Sequence, residues 1–371
     1  MPKASRPQCN PRQRAPQRLA LVVIASLLAI VLPASSGWAA TPWIGVRGNH
    51  LIDRAGRPVR LLGVNRAGPE YQCVEGDEIF DGPTNLASIE AMKRWHINAV
   101  RIPLNESCWL GINGIAPSLS GSAYRDAIRG YVQQLEHAGL YVILDLHWAA
   151  PGEHQATGII EMPDAEYAPD FWRSVATEYR NDHSVLFDLY NEPLPGVSWQ
   201  CWEWGCSFQN PWFGWYRAVG MRELVDVVRS TGARQPVLLG GVDWARILSG
   251  WLGHLPPDPA HAEVASNHTY AFTPFTPCYS RCRATLVRIA HRFPVVTGEL
   301  GGGDCRHRYI NPYMRWADRH GISYLGWAWN TGTGWTCRGG PSLIRNYSGA
   351  TISFGIGLRK HLREHLRALS R

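Results

Sequence analysis

Two glutamates in this sequence each follow an apolar, β-type run. Glu192 lies two residues after the run Val185–Tyr190 and directly before Pro193, and Glu299 follows the run Pro294–Thr297. Pro193 lacks a backbone donor and disfavours helix in the residue before it, so the first strand is expected to stop there. Paired carboxyls suit the hydrolysis of a glycosidic bond, because one protonates the leaving oxygen while the other attacks the anomeric carbon or activates water. We expect these two glutamates to be the catalytic pair.

Side chains that could surround such a pair follow other apolar runs. His268 and Tyr270 are two residues apart, so in an extended segment they point to the same side. Arg101 is a cation within a buried pattern, and its charge would hold a nearby carboxyl ionised. Asn191 could bond a sugar hydroxyl, and an aromatic ring offers a sugar a flat apolar face. The expected substrate-binding set is Arg101, His147, Asn191, His268, Tyr270 and Trp329.

Each of these residues has a purely structural interpretation when it is taken alone. Arg101 could serve only in an ion pair, His147 and His268 could be hydrogen-bonded core histidines, and Trp329 could be core. What favours a functional site is their shared position. Polar groups stand at the C-terminal ends of the second, third, fourth, sixth and seventh apolar runs, which is the edge where α/β barrels place their active sites.

The elements that would position these residues alternate between strand and helix. Helical patterns over Tyr124–Ala138, Trp215–Ser230 and Pro312–His320 are each followed closely by a glycine, a common helix end. Short apolar runs of the kind found in buried strands cover Val59–Val64, Ile97–Pro103, Tyr141–Leu146, Val185–Tyr190, Pro236–Gly241, Glu263–Asn267, Pro294–Thr297 and Ile322–Trp329.

Eight strand–helix units in a chain of 371 residues predict an α/β fold, the (β/α)8 TIM barrel, as a single domain. A doubly wound open sheet is the alternative, but no GxGxxG follows the first strand. In a closed barrel the fourth and seventh strands face each other across the mouth, which allows a carboxyl separation of about 5–5.5 Å. Leu194–Trp215 is too long for a plain connection, so long βα loops are expected.

With these motifs the chain resembles glycoside hydrolase family 5, the cellulase-like branch of a large clan of retaining (β/α)8 enzymes. The resemblance extends from Gly63 to Asn330 and rests on the segments RIPLNE, LDLHW, LYNEP, NHTY, TGELG and GWAWN. It implies hydrolysis by double displacement, with Glu192 as the acid/base and Glu299 as the nucleophile. It also implies that no metal and no organic cofactor is needed.

The resemblance assigns the remaining residues as well. Arg101 and Tyr270 would contact the nucleophile, and Asn191 would bind the 2-hydroxyl of the sugar at the cleavage point. His147 and His268 would line that subsite, and Trp329 would stack under the ring. Five more of the seventeen tryptophans are candidate sugar platforms, with loop packing as the alternative for each: Trp148, Trp199, Trp202, Trp204 and Trp335.

The substrate is less closely defined than the chemistry. Members of the family cut cellulose, mannan, xyloglucan, β-1,3-glucan and glycolipids. The loops that determine the substrate in this family have no matching motif in this chain. An endo-β-1,4-glucanase of the cellulase type is the leading hypothesis. A β-mannanase, an exo-glucanase, a glycolipid-cleaving enzyme or a transglycosylase is the alternative within the family. A non-catalytic carbohydrate-binding protein on the same barrel is the alternative of a different class.

The first forty residues have the pattern of an export signal. Five cations precede the apolar run Leu19–Leu32, and small residues up to Ala39 and Ala40 follow it. We expect residues 1–40 to be a signal peptide and residues 41–371 to be the catalytic domain, secreted to the periplasm or outside the cell. An uncleaved anchor is the alternative, although fourteen apolar residues are short for a membrane span.

Without the leader the charge of the chain is nearly balanced. Removing its five cations from the formal net charge of +7 leaves +2, which gives no support for a nucleic-acid partner. The expected partner is a polysaccharide or oligosaccharide, bound by a monomer that has no stable membrane association after cleavage.

Cysteine usage is consistent with export. Eight cysteines remain without Cys9, and an even number in a secreted chain favours disulfides. A zinc site is the alternative, but neither close pair has the two-residue spacing of a zinc knuckle. The expected disulfides are the two local ones, Cys201 with Cys206 and Cys278 with Cys282.

Overall fold

Eight parallel strands form a closed barrel in the computed structural model, which describes residues 42–76, 78–271, 280–302, 307–331, 342–352 and 355–369. The barrel strands are β4 (Leu62–Asn65), β5 (Ala99–Asn105), β6 (Tyr141–Trp148), β7 (Val185–Asp188), β10 (Val237–Gly240), β11 (Glu263–Ala271), β12 (Val295–Gly302) and β13 (Ser323–Gly326). They pair in this order, and β13 pairs with β4 to close the ring. The predicted signal peptide lies outside the described residues.

The remaining described strands lie outside the barrel. β1 (Gly45–Arg47), β2 (His50–Ile52) and β3 (Pro58–Val59) form an antiparallel sheet, and two hairpins are formed by β8 (Cys206–Asn210) with β9 (Gly214–Ala218) and by β14 (Ile344–Asn346) with β15 (Ala350–Thr351). Ile44 and Leu51 join the apolar interior of the barrel, and the Ile44 N–H donates to the carbonyl of His183, just before β7. The small sheet therefore closes the N-terminal end of the barrel, opposite the ends expected to hold the site.

Helices connect consecutive barrel strands. The described helices are α1 (Gln72–Glu75), α2 (Leu86–Arg94), α3 (Glu106–Leu110), α4 (Ser122–His137), α5 (Ala168–Tyr179), α6 (Trp199–Trp204), α7 (Met221–Ser230), α8 (Trp251–His254), α9 (Ser280–Ala290), α10 (Ile310–Arg319) and α11 (Gly355–Leu369). The glycines predicted to end helices do so: Gly139, Gly232 and Gly321, after α4, α7 and α10, have φ of 82°, 86° and 67°, which favours glycine. The predicted (β/α)8 barrel is confirmed.

The prediction of a helix over Trp215–Ser230 was wrong in its first half. Gly214–Ala218 is strand β9, and the helix begins only at Met221. The segment alternates exposed Trp215 and Arg217 with buried Tyr216 and Ala218, which is the two-residue period of a strand with one packed face. The helical spacing that predicted the helix belongs to Leu224, Val227 and Val228, which all lie within α7. The predicted helix therefore started several residues too early in the chain.

Disulfides fix two of the loops at the C-terminal end of the barrel. Cys201–Cys206 joins α6 to β8, which confirms one predicted pair. Cys73–Cys108 joins α1 to α3 across 35 residues and was not predicted, because spacing alone does not give the connectivity of distant cysteines. Cys282 is disulfide-bonded, and its predicted partner Cys278 lies outside the described residues.

Within the described part of the chain, no helix combines the length and the apolar character that a membrane span requires.

Candidate active site

Glu192 and Glu299 meet at the C-terminal mouth of the barrel. Glu192 lies in the loop after β7, and Glu299 lies within β12, where the pairing register with β11 shifts beside it. One carboxyl oxygen of each glutamate and one ring nitrogen of His268 all lie within 4.8 Å of one another. Both carboxyls are buried, with 7% and 4% of each residue exposed. The structure therefore brings together the two residues that the sequence singled out first.

Arg101 lies on the floor of this site and is completely buried. Its guanidinium donates to Glu299 Oε1 at 2.9 Å and to Asn191 Oδ1 at 2.9 Å. The same group donates to Asp188 Oδ2 at 2.9 Å and to Asn65 Oδ1 at 3.0 Å, and it forms an ion pair with Asp145 at 2.9 Å. A single cation thus orients one of the two glutamates predicted to be catalytic and one predicted substrate ligand.

Asn65, Asp145 and Asp188 are site residues that the sequence analysis did not identify. Each lies in a barrel strand and each contacts Arg101. Burial raises the pKa of both aspartates to about 7, while the positive charge of Arg101 acts in the opposite direction. The sequence contained one signal for them. A charged side chain inside an apolar strand requires polar partners, so the buried Arg101 indicated that other strands carry acceptors for its guanidinium.

His147 is held by Asp145 on one side and by Asn191 on the other. Its Nδ1 lies 2.6 Å from Asp145 Oδ2, and its Nε2 lies 3.3 Å from the amide nitrogen of Asn191. Burial lowers the pKa of His147 to about 3, so the ring is neutral. A neutral ring that donates from Nδ1 to Asp145 leaves Nε2 to accept from Asn191, which fits both distances.

His268 and Tyr270 contact the two glutamates directly. Nδ1 of His268 lies 2.8 Å from Glu192 Oε1, and the Tyr270 hydroxyl donates to Glu299 Oε2. Burial lowers the pKa of His268 well below its ordinary value, and the charge of Arg101 adds to the effect. His268 is therefore a neutral hydrogen-bonding group, and these contacts fix the direction of both carboxyls.

The two glutamates differ in their electrostatic surroundings. Burial raises the pKa of Glu192 well above its ordinary value, and the neighbouring charge of Glu299 raises it further. Burial also raises the pKa of Glu299, but the charge of Arg101 and the Tyr270 hydrogen bond each lower it. Glu192 is therefore the carboxyl that keeps its proton more readily, and Glu299 is the one placed to be the anion.

A family model described as "Cellulase (glycosyl hydrolase family 5)" matches residues 52–333. The chain belongs to glycosyl hydrolase family 5. The predicted family is thereby confirmed, and the matched range includes every residue of the site described above.

Comparisons with individual proteins give distant similarities. Endoglucanase E-5 of Thermobifida fusca is 24% identical over 294 residues, which cover 77% of this chain and 55% of that protein. Endoglucanase A of Butyrivibrio fibrisolvens is 26% identical over 164 residues, which cover 42% of this chain and 33% of that protein. The chain thus spans between a third and just over half of the length of these two relatives.

A solved structure of a β-glucanase from Saccharophagus degradans, in complex with cellotetraose, has the same fold. It superposes with a TM-score of 0.63 at 19% identity, and the match covers 90% of this chain and 98% of that one. At this identity the similarity shows the fold alone.

The aromatic residue at the site is Trp327, not Trp329, so that prediction is corrected. Trp329 has no exposed surface, packs edge-on against Trp95 at 4.9 Å and donates to the Ser88 hydroxyl, and it has no face for a sugar. Trp327 is partly exposed and stacks on His147, with ring centroids 5.3 Å apart. The two tryptophans are two residues apart at the end of the apolar run Ile322–Trp329, and no local sequence signal favours the first.

The other tryptophans proposed as platforms have different environments. Trp202 is fully buried and donates to the carbonyl of Gly240, so its prediction is also corrected. Trp148 and Trp199 are partly exposed, and Trp204 is 58% exposed with the Arg222 guanidinium 4.1 Å from its ring centre. Trp335 lies outside the described residues.

Glu192, His268 and Glu299 are also the group of described residues whose ligand atoms lie close enough to hold a metal ion. These atoms already have hydrogen-bonding partners within the site, since His268 contacts Glu192 and Tyr270 donates to Glu299. The arrangement fits two carboxyls that are oriented for reaction with a substrate.

Proposed function

We propose that this family 5 protein is a retaining endo-β-1,4-glucanase that acts by double displacement. The observation that supports it is the proximity of Glu192 and Glu299, whose carboxyl oxygens approach within 4.8 Å. Carboxyls about 5–5.5 Å apart suit direct attack on the sugar, whereas inverting enzymes separate them by about 6.5–9.5 Å to leave room for a water. The names of the relatives, which are endoglucanases, support β-1,4-glucan as the substrate.

In the first step Glu299 attacks the anomeric carbon as a carboxylate. The bond to the leaving oxygen breaks, and that oxygen takes the proton of the Glu192 carboxylic acid. The products are a glycosyl ester on Glu299, a free sugar hydroxyl and an ionised Glu192. The Arg101 guanidinium, 2.9 Å from Glu299 Oε1, stabilises the attacking carboxylate. When the carboxylate loses its charge on forming the ester, Arg101 can still donate a hydrogen bond to it.

In the second step the ionised Glu192 removes a proton from water, and the resulting oxygen attacks the anomeric carbon. The ester bond to Glu299 breaks and restores its carboxylate, and Glu192 has regained its proton. Glu192 thus acts first as an acid and then as a base. Two inversions at one carbon give the product the configuration of the substrate.

The surrounding residues would bind and orient the sugar. Asn191 uses its carbonyl oxygen for Arg101 and one N–H for His147, which leaves a second N–H for the 2-hydroxyl. Tyr270 aims Glu299, and the partly exposed Trp327 offers a ring to the sugar. None of these steps uses a metal or organic cofactor, and we propose a monomer as the working form.

The test is an assay of purified residues 41–371 on carboxymethyl cellulose, lichenan, mannan and xylan, with the anomeric form of the first product followed by NMR. We expect cleavage of the β-1,4-glucan and a first product of β configuration. Glu299→Ala should abolish the activity, and azide should rescue it as an α-glycosyl azide. A first product of α configuration, or full activity of Glu299→Ala, would contradict double displacement.

We also propose that residues 1–40 are an export signal that is removed. N-terminal sequencing of protein recovered outside the cytoplasm should begin near Ala39–Thr41. An N-terminus at Met1 in the exported protein would contradict cleavage.

A further inference from the structure

The β8–β9 hairpin presents two tryptophans to solvent. Trp212 in its turn is 81% exposed and Trp215 in β9 is 71% exposed. These are the two largest exposures among the large hydrophobic side chains of the described residues. A tryptophan exposed to this degree contributes little to folding, and exposed aromatic rings often mark contact surfaces.

The hairpin has one packed face and one polar face. Phe208 and Tyr216 pair across the strands on the face that packs against the barrel. On the other face Gln209 pairs with Trp215 and Ser207 pairs with Arg217, all of them exposed. Trp215 therefore shares its face of the hairpin with hydrogen-bonding side chains. This combination suits a ligand with a flat apolar face and a rim of hydroxyls, which is the chemistry of a sugar chain.

The hairpin is attached to the edge of the catalytic site through Glu161. The carboxylate of Glu161 accepts from the Tyr216 hydroxyl at 3.1 Å and from the Asn210 amide at 3.0 Å. The backbone carbonyl of the same residue accepts from the Leu194 N–H at 3.0 Å, two residues after Glu192. One residue thus connects the half of the hairpin nearest its turn to the segment that bears the proposed acid/base.

Further contacts hold the hairpin in one position. Asn210 Oδ1 accepts from the Trp212 N–H at 2.9 Å, and the Phe213 ring packs on His154 at 4.9 Å. The Ala165 N–H donates to the carbonyl of Arg217 at 2.8 Å, and Cys201–Cys206 joins the first strand to α6. The two exposed rings therefore have a fixed scaffold, so binding them would require little ordering of the loop.

We propose that the exposed face of this hairpin binds a stretch of β-glucan chain outside the catalytic cleft. Trp212 and Trp215 stack on pyranose rings, and Ser207, Gln209 and Arg217 bond the hydroxyls around them. The proposal rests on the proposed function for the identity of the glycan. The hairpin belongs to the same connection between β7 and α7 as Glu192. In this proposal a polymer in the cleft extends onto the exposed face, whereas a short substrate that fills only the cleft does not.

The test compares wild type with Trp212→Ala/Trp215→Ala on a polymer and on a small substrate. Turnover of an aryl β-cellobioside should stay within about twofold, while the binding constant for amorphous cellulose, measured by depletion, should fall about tenfold for the loss of two stacking contacts. Leu86→Ala, which removes another exposed apolar side chain that is 60% exposed, is the matched control and should change neither.

Three results would overturn the proposal. Unchanged binding to cellulose would remove the tryptophans from glycan recognition, and an equal loss on both substrates would place the hairpin in the cleft or its support. A wild-type dimer that the double variant converts to monomer, seen by sedimentation, would identify the face as a contact between copies. Binding is measured independently of turnover, so failure of wild type to hydrolyse glucan would count against the proposed function and not against this surface.

Discussion

The imidazole of His147 and the indole of Trp327 lie face to face, with ring centroids 5.3 Å apart and planes 11° apart. His147 is in turn fixed by Asp145 and Asn191, so the position of the tryptophan ring is linked to the polar floor of the site. Trp329, two residues later, points into the core against Trp95. Neighbouring tryptophans thus have separate roles, and mutation can distinguish them.

Trp327→Ala should lower kcat/KM by about 10- to 100-fold, as expected for loss of about 1.4–2.7 kcal/mol of contact with the sugar. Its effect on thermal unfolding should be small because the ring is partly exposed. Trp329→Ala should instead lower the free energy of unfolding by about 3–5 kcal/mol, since it leaves a large cavity. Steady-state kinetics and urea unfolding of both variants check this, and the reverse pattern would restore Trp329 as the platform.

The alkaline limb of the pH profile of kcat/KM should report the loss of the proton from Glu192. Burial and the charge of Glu299 raise the pKa of Glu192, so kcat/KM should fall as pH rises through that pKa and the acid loses its proton. Glu299→Gln removes the neighbouring charge and should shift the Glu192 pKa downward. Carbon-13 NMR titration of the labelled carboxyl measures it, with Tyr270→Phe as a control that keeps the charge. An unchanged Glu192 pKa in Glu299→Gln would show that the two carboxyls do not interact.

The two described disulfides should differ in their contribution to stability. Cys73–Cys108 closes 35 residues and Cys201–Cys206 closes five. Loop-closure entropy predicts that replacing both cysteines of a disulfide by serine lowers the free energy of unfolding by about 4 kcal/mol at Cys73–Cys108 and by about 2 kcal/mol at Cys201–Cys206. Urea unfolding of the two double variants measures the costs. Equal costs, or the opposite order, would show that strain or residual structure outweighs chain entropy here.

Glu106→Gln should make stability less dependent on pH. Glu106 is completely buried at the start of α3, and burial together with the charge of Asp164 raises its pKa well above the ordinary value. A group whose pKa is raised on folding stabilises the protein at low pH and loses that contribution as pH rises through the folded pKa. Glutamine keeps an acceptor for the Ala150 N–H and stays neutral.

The check for Glu106→Gln is the unfolding midpoint from pH 4 to pH 10. Wild type and variant should agree at the acidic end, and the variant should become the more stable of the two on the alkaline side. Parallel curves over the whole range would mean that Glu106 does not keep a proton in the folded protein. Glu223→Gln, at an exposed position in the first turn of α7, is a suitable control.

Much of the barrel and its chemistry could be predicted because each depended on local signals. Buried parallel strands are continuous apolar runs, and the glycines that end α4, α7 and α10 follow from backbone sterics. Glu192 and Glu299 each stand two residues after such a run. The proximity of the two glutamates could be predicted because the strands close into a barrel, in which the fourth and seventh strands face each other across the mouth.

What could not be predicted depended on the direction of side chains and on contacts between distant segments. Whether Trp327 or Trp329 faces the substrate depends on how the chain turns after β13, and no local rule gives that turn. Asp145 and Asp188 became recognisable only when Arg101 was seen to bond both. Cys73–Cys108 needed two loops that are adjacent only in the folded barrel.

The polar floor around Arg101 has a consequence for engineering this enzyme. This floor consists of four buried ionisable side chains with almost no contact with water: Arg101, Asp145, Asp188 and Glu299. A protein is often more stable when well-packed apolar side chains replace such a buried ionic group. Selection for heat resistance alone would therefore tend to erode this floor, and variants chosen by melting temperature need a parallel screen for turnover.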